Sequence, residues 1–298
     1  MKKSLLFFMG LTSGLLSAEF QFGNGTFTMD GGFLGLTGSI DNDVASYTIT
    51  NRHSNMGSSN IFYSYDLNWF DSKNLIQAQK TYNNMATNFN IPQMEYRVKG
   101  LDANIKAGYD IIHKSEDDFL GVGVLVGLSI PWIDATKSSS TVPNLDLISN
   151  NIDSMQNAKQ LFDDTKTKVM TYKVGPTINF QKSLIGDKLS VYGLASYAYQ
   201  TGYISNEYIK SDLSVDGTYQ EYGLGLYFTP FTEKFKWGWL TLSPRIYATL
   251  GYKYSKWDMG DVSINIAGKG FNSSDLSPYK SNFTMSSSIG YFGLGYSF

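Results

Sequence analysis

The sequence predicts an all-β protein: an antiparallel barrel of about ten strands, between about 8 and 12, closed across a membrane. Three observations carry this expectation. Segment after segment alternates apolar and polar residues with a period of two, the mark of a strand with one apolar face. The connections sort by length when they are assigned alternately to the two sides of a membrane. The composition is rich in Tyr (21), Phe (19) and Gly (29), with only 17% charged residues, yet mean hydropathy is −0.21. A helical membrane protein would be far more apolar. The run Phe119–Ile133, broken by Gly121, Gly123 and Gly127, falls short of the ~18 residues of a membrane helix.

At the N-terminus, Lys2 and Lys3 precede an apolar run from Leu5 to Leu16, and Ser17-Ala18 offers small residues for cleavage. This predicts a secretory signal peptide over residues 1–18, too short an apolar run to span a bilayer. Residues 19–298 then form a single barrel domain. The chain has no Cys, which excludes disulfides and thiolate metal sites. A net charge of −2 argues against nucleic acid as a partner.

The strands follow in order. Gly32–Ser39 is the first expected strand, preceded by a lead-in from Glu19. Asp41-Asn42-Asp43 is read as a turn, and Val44–Arg52 as the second strand. Ile61–Phe70 alternates cleanly. Between Ser72 and Phe89, Leu75, Ala78, Tyr82, Met85 and Phe89 fall at spacings of three and four, which predicts an amphipathic helix in a loop. Met94–Ile112 returns to strand, with a bulge expected near Gly100. Leu120–Ile130 has one face of Leu, Val and Ile and an opposite face of Gly and Ser, leaving interior space. Asn144–Asp164 predicts a second amphipathic helix, with Pro143 near its start. Lys168–Gln181, Lys188–Tyr203, Thr218–Thr229, Trp239–Ser255 and Phe283–Phe298 complete the set. Pro176 and Pro244 fall mid-strand on the outer face, so local bulges or broken pairing are expected there.

Phe292, Leu294, Tyr296 and Phe298 occupy alternate positions up to the end of the chain. This ending resembles the C-terminal signature of Gram-negative outer-membrane β-barrels. The resemblance implies an outer-membrane location, with Phe298 at the periplasmic rim. Connections at 54–58, 114–118, 183–187 and 230–238 then lie inside and are short. Those at 71–93, 131–167, 204–217 and 256–282 lie outside and are long, with one short exception at Asp41. Aromatic residues mark both rims. The two loop helices look similar in architecture to the external helical loops of the fatty-acid and aromatic-hydrocarbon transporter family.

Catalysis has little support: His53 and His113 are the two histidines, both mapped near the periplasmic rim and read as solvated. No enzyme, cofactor or metal is expected. The candidate pore-lining or ligand-binding residues are the inward charges Asp66, Lys106, Asp110, Lys173, Glu221, Arg245 and Lys253, with Asp102 on the same faces. Arg245, one of three arginines, is the preferred lumen anchor. These charges suit a passive channel or transporter for small solutes, including hydrophobic ones. The alternative is a structural or adhesive surface barrel whose lumen is filled by salt bridges. Expected partners are outer-membrane lipid and lipopolysaccharide, and the barrel-assembly machinery during insertion.

Overall fold

The computed structural model describes residues 17–33, 36–56, 59–77, 80–82, 89–91, 93–115, 118–137, 165–186, 188–206, 213–230, 235–237, 240–242, 246–261, 263–266, 269–271 and 282–297. Ten long strands build one sheet: β1 (Ser17–Phe33), β2 (Leu36–Thr50), β3 (Ile61–Ser72), β4 (Met94–Ser115), β5 (Asp118–Lys137), β6 (Thr165–Ile185), β7 (Leu189–Asn206), β8 (Leu213–Phe228), β9 (Ile246–Asp261) and β10 (Asn282–Ser297). Every strand pairs antiparallel with its neighbours in the chain, and β10 pairs with β1 from Ser17↔Ser297 to Gly31↔Phe283. The sheet is thus closed on itself, and its ladder groups are bonded within it apart from a few local irregularities.

The alternation seen in the sequence becomes two faces. Outward-facing apolar side chains stay open to the surroundings: Ile105 is 64% exposed, Leu250 61% and Phe22 57%. Inward residues on the same strands, such as Asn104, Thr249 and Gln21, are buried. A soluble protein would reverse this arrangement, because each exposed apolar side chain forfeits roughly 1.5–3 kcal/mol of burial. We call the rim where β1 begins and β10 ends the inner rim, and the opposite one the outer rim.

The first hairpin differs from expectation. β1 runs through the supposed lead-in, the chain reverses between Phe33 and Leu36, and Asp41–Asp43 lie within β2, with Asp41 opposite Thr28 and Asp43 opposite Thr26. Polar residues on the outward face there erase the hydrophobic alternation, and Thr28 Oγ1 donates a 2.6 Å hydrogen bond to Asp41 Oδ1. The helix expected over Ser72–Phe89 is corrected in its described parts. Leu75–Gln77 pairs with Met94–Tyr96, and Lys80–Tyr82 with Phe89–Ile91. Extending the β3–β4 pairing satisfies backbone groups in register, and that outweighs a weak helical periodicity. No helix occurs among the described residues. The second expected helix, Asn144–Asp164, lies outside them, as do residues 1–16 of the expected signal peptide.

No bulge occurs at Gly100. Pairing with β5 runs on through Gly100↔Pro131, and the irregularities fall at Asp110/Ile112 and His113/Ser115. Gly100 instead seats the ring of Phe70: a Cβ at this position would lie 2.2 Å from Phe70 Cζ. Pro176 pairs with Val124 of β5. On its other side, pairing with β7 lapses between Val174↔Tyr199 and Thr177↔Ser196, as expected where an N–H is missing. Pro244 lies outside the described residues. β9 begins at Ile246 rather than Trp239, and Leu240–Leu242 pairs with Phe235–Trp237 in a separate hairpin at the inner rim.

Candidate functional site: the lumen

The small residues of β5 make room for the charged interior. A Cβ on Gly127 would meet Asn104 Oδ1 at 2.2 Å and Lys173 Cε at 2.9 Å. Into this space project four of the predicted charges. Lys106 Nζ lies 3.0 Å from Asp66 Oδ1 and 3.0 Å from Glu221 Oε2. Lys253 Nζ lies 2.7 Å from Glu221 Oε1 and 3.5 Å from Asp66 Oδ2. Two acids and two bases from β3, β4, β8 and β9 thus neutralise one another across the lumen. Lys173 forms a second group: its Nζ is 2.5 Å from Asp102 Oδ1 and 3.8 Å from the centre of the Tyr219 ring. Asp102 also accepts from Ser129 and Asn104. Burial of paired charge is tolerated only with such complete partnering.

Asp110 stands apart from these, nearer the inner rim. Its Oδ2 is 3.0 Å from His53 Nε2 and 2.7 Å from Asn55 Nδ2, with His113 Nδ1 at 3.4 Å. Arg245 lies outside the described residues. Among the described residues the arginine that anchors the lumen is Arg52, which precedes His53 in the β2–β3 connection. Its Nε is 2.8 Å from Glu19 Oε2, and its guanidinium sits 4.5 Å from the ring centres of both Tyr192 and Tyr227. His53 is buried rather than solvated: it stacks on Phe119 at 3.8 Å and on Phe62 at 4.8 Å between ring centres. This connection therefore folds back into the inner mouth and is latched there by Arg52 and His53. The sequence hint was the aromatic content of inward positions on β7–β9, which a cation can cap.

Burial pushes the His53 imidazole below the ordinary histidine range, against the opposing pull of Asp110 and Asn55. In the docked loop Asn179 Nδ2, at 2.9 Å, faces His53 Nδ1, which suits a neutral ring donating from Nε2 to Asp110. An undocked loop exposes an ordinary histidine with pKa ≈ 6.5 and so binds more protons. Docking is therefore strongest above that value and weakens as pH falls through it. Amide exchange over residues 51–60 is expected to accelerate between about pH 7.5 and about pH 5.5, after correction for intrinsic rates. His53→Gln should abolish this difference, and an unchanged profile in the native chain would refute it.

Above the charges the lumen becomes mainly apolar, with Asn42, Ser72 and Gln200 as buried polar exceptions. Phe27, Met29, Phe70, Val98, Val169, Val215, Met259 and Met285 are buried there as one cluster. Phe27 stacks on Phe70 at 5.4 Å and lies 6.1 Å from Trp257. Trp257 reaches from β9 across the lumen to donate from Nε1 to Ser129 Oγ on β5 at 2.8 Å. Below, a cavity of about 60 Å³ runs between Arg52, His53, Asn179 and Gln181 to Asp66, Lys106, Glu221 and Lys253. It has space for a few waters.

A closed barrel with lipid-compatible side chains outside and hydrogen-bonded charges inside is the membrane-spanning architecture. This is a transmembrane β-barrel of the outer-membrane type. No protein-family model and no curated protein matches the chain. Among solved structures, the barrel is similar to the outer membrane protease OmpT from Escherichia coli, with 10% identity over 95% of this chain and 97% of that one and a TM-score of 0.48. It is also similar to the translocator domain of the autotransporter NalP from Neisseria meningitidis (11% identity, 100% of this chain, 95% of that one, TM-score 0.36). A third similarity is to the Pseudomonas putida toluene transporter TodX (11%, 95% and 90%, TM-score 0.30). The likeness is one of barrel architecture, and the roles in those names belong to those proteins.

Proposed function

We propose that the mature chain, from Glu19 onward, is a sealed, non-enzymatic surface barrel that presents its outer loops rather than conducting solutes. The observation that carries this reading is the apolar cluster across the outer half of the lumen, in which Phe27, Val98, Val169, Met259 and Met285 are at most 1% exposed. An ion crossing there would shed its water among mostly apolar side chains, with only the short polar groups of Asn42, Ser72 and Gln200 buried at the same level. The charges beneath it are engaged with one another and offer no ring of free ligands. For the non-enzymatic reading, the support is that His53 already has a hydrogen-bond partner on each ring nitrogen and is stacked between aromatic rings.

A second reading, a gated channel for small solutes, is favoured by the cavity that leads from the latched inner mouth to the Asp66–Lys106–Glu221–Lys253 group. Planar-bilayer recording of the refolded chain separates the two. The sealed barrel gives no unitary current at any applied voltage, while its folded band shifts on heating. Reproducible unitary currents from the same preparation would overturn the sealed reading in favour of the gated one.

A further inference from the structure

The charges on the outside of the outer rim are divided by sign. On β4–β6 the register sets two outward rows side by side. Lys99 is opposite Trp132, and Trp132 is opposite Lys168. One step further out, Arg97 and Lys166 flank Asp134. Lys99 is 3.6 Å from Asp134, and Arg97 binds Asp71 through two hydrogen bonds of 2.9 and 2.7 Å. Lys166 and Lys168 are exposed and make no ion pair among the described residues. Elsewhere on the rim the described outward charges are mostly acidic: Asp30, Asp41, Asp43, Asp216 and Asp258, with Lys256 among them and Lys73 at 3.9 Å from Asp43. Among the described outward charges of this rim, cations outnumber carboxylates in this sector alone, counting Glu95, Asp71 and Asp134 against the four bases.

That sector also has an apolar floor. Trp132 lies 5.4 Å, edge to face, from Trp69, which is 42% exposed. Aromatic residues of this kind settle at the boundary of headgroups and acyl chains. Lys99 and Lys168 straddle Trp132 two strands apart, about 10 Å by strand spacing, a gap that a phosphorylated sugar headgroup can bridge. We propose that this face of β4–β6 is a binding site for a phosphorylated glycolipid of the surrounding leaflet. Lys99 and Lys168 hold the phosphate, and Trp132 and Trp69 lie along the sugar and upper acyl chains. The site stands whether or not the lumen conducts.

Native mass spectrometry of the full refolded chain in detergent tests it, with a bisphosphorylated acylated diglucosamine, its dephosphorylated counterpart and inorganic phosphate as probes. The bisphosphorylated lipid is expected to bind, and Lys99→Gln with Lys168→Gln to weaken it by roughly tenfold or more. Lys99→Arg with Lys168→Arg and the distant Lys256→Gln should both bind as the native chain does, and heat-shifted mobility verifies that every variant is folded. Equal binding of the dephosphorylated lipid, unchanged affinity in the double glutamine variant, or an equal loss in Lys256→Gln would overturn the proposal. Comparable binding of inorganic phosphate would reassign the sector to free anions. A dimer that depends on these lysines would reassign it to the acidic sector of a second copy.

Discussion

Lys173→Met is expected to destabilise the barrel by about 3–5 kcal/mol, the range for breaking a buried ion pair from one side. The Lys173 side chain is fully buried, and its removal leaves Asp102 charged at 2% exposure. Ser129 and Asn104 still donate to Asp102, but neither carries a compensating charge. The Tyr219 ring loses the cation held 3.8 Å from its centre, which adds up to about 2 kcal/mol in a desolvated setting. Asp102→Asn in the same chain removes the orphaned charge and should recover most of the loss. Urea unfolding in lipid vesicles, followed by tryptophan fluorescence, reads both effects. A single variant within about 1 kcal/mol of the native chain would mean that water reaches Asp102 and that the lumen is wetter than its geometry implies.

Trp257→Ala is the second large change, and it bears on conduction. Trp257 is 3% exposed, packs near Phe27 and Tyr219, and bonds Ser129 across the lumen. Truncation of a buried aromatic residue costs about 3–5 kcal/mol where the site cannot collapse, and a barrel wall cannot collapse onto its own axis. Here the vacated volume joins the charged layer beneath it, so water is expected to enter. Together with Phe70→Ala it should convert a silent barrel into one with unitary currents. Persistent silence in the folded double variant would place the block elsewhere, in the latched inner mouth or above the outer rim.

Much of the barrel was legible in the sequence because lipid and lumen demand opposite chemistry on alternate residues. The faces of Asp66, Lys106, Lys173, Glu221 and Lys253 follow from that parity alone. Their partners do not. Parity says that Lys253 points inward, but the angular position around the barrel that brings it to Glu221 and Asp66 depends on closure and register, which no local pattern encodes. The first hairpin departs from the sequence expectation because its outward face at the outer rim is Thr and Asp rather than apolar, and Asp-Asn-Asp imitates a turn. His53 departs from the sequence expectation because a residue between strands reads as solvated, whereas Phe62 and Phe119 arrive from β3 and β5 to enclose it. The Glu19–Arg52 ion pair is not legible for the same reason: each residue lies at the margin of a strand.

The cross-lumen contacts also govern the order in which the protein can be assembled. Asp66 and Asp102 belong to β3 and β4, whereas Lys253, Tyr219 and Trp257 arrive with β8 and β9. Until those late strands are in place, the early acids face an open trough and stay hydrated. Hairpin formation between neighbours proceeds locally and early, but dehydration of the interior waits for pairs of high sequence separation, the slow class of contact. The seam between β1 and β10 and the charge pairs that join early to late strands, Lys106–Glu221 and Lys253–Asp66, therefore form in one late, cooperative event. A chain stalled before it would be a curved open sheet with a polar, water-filled concave side and two unsatisfied edges. That intermediate is prone to aggregation, and it is the state that an assembly factor would need to hold.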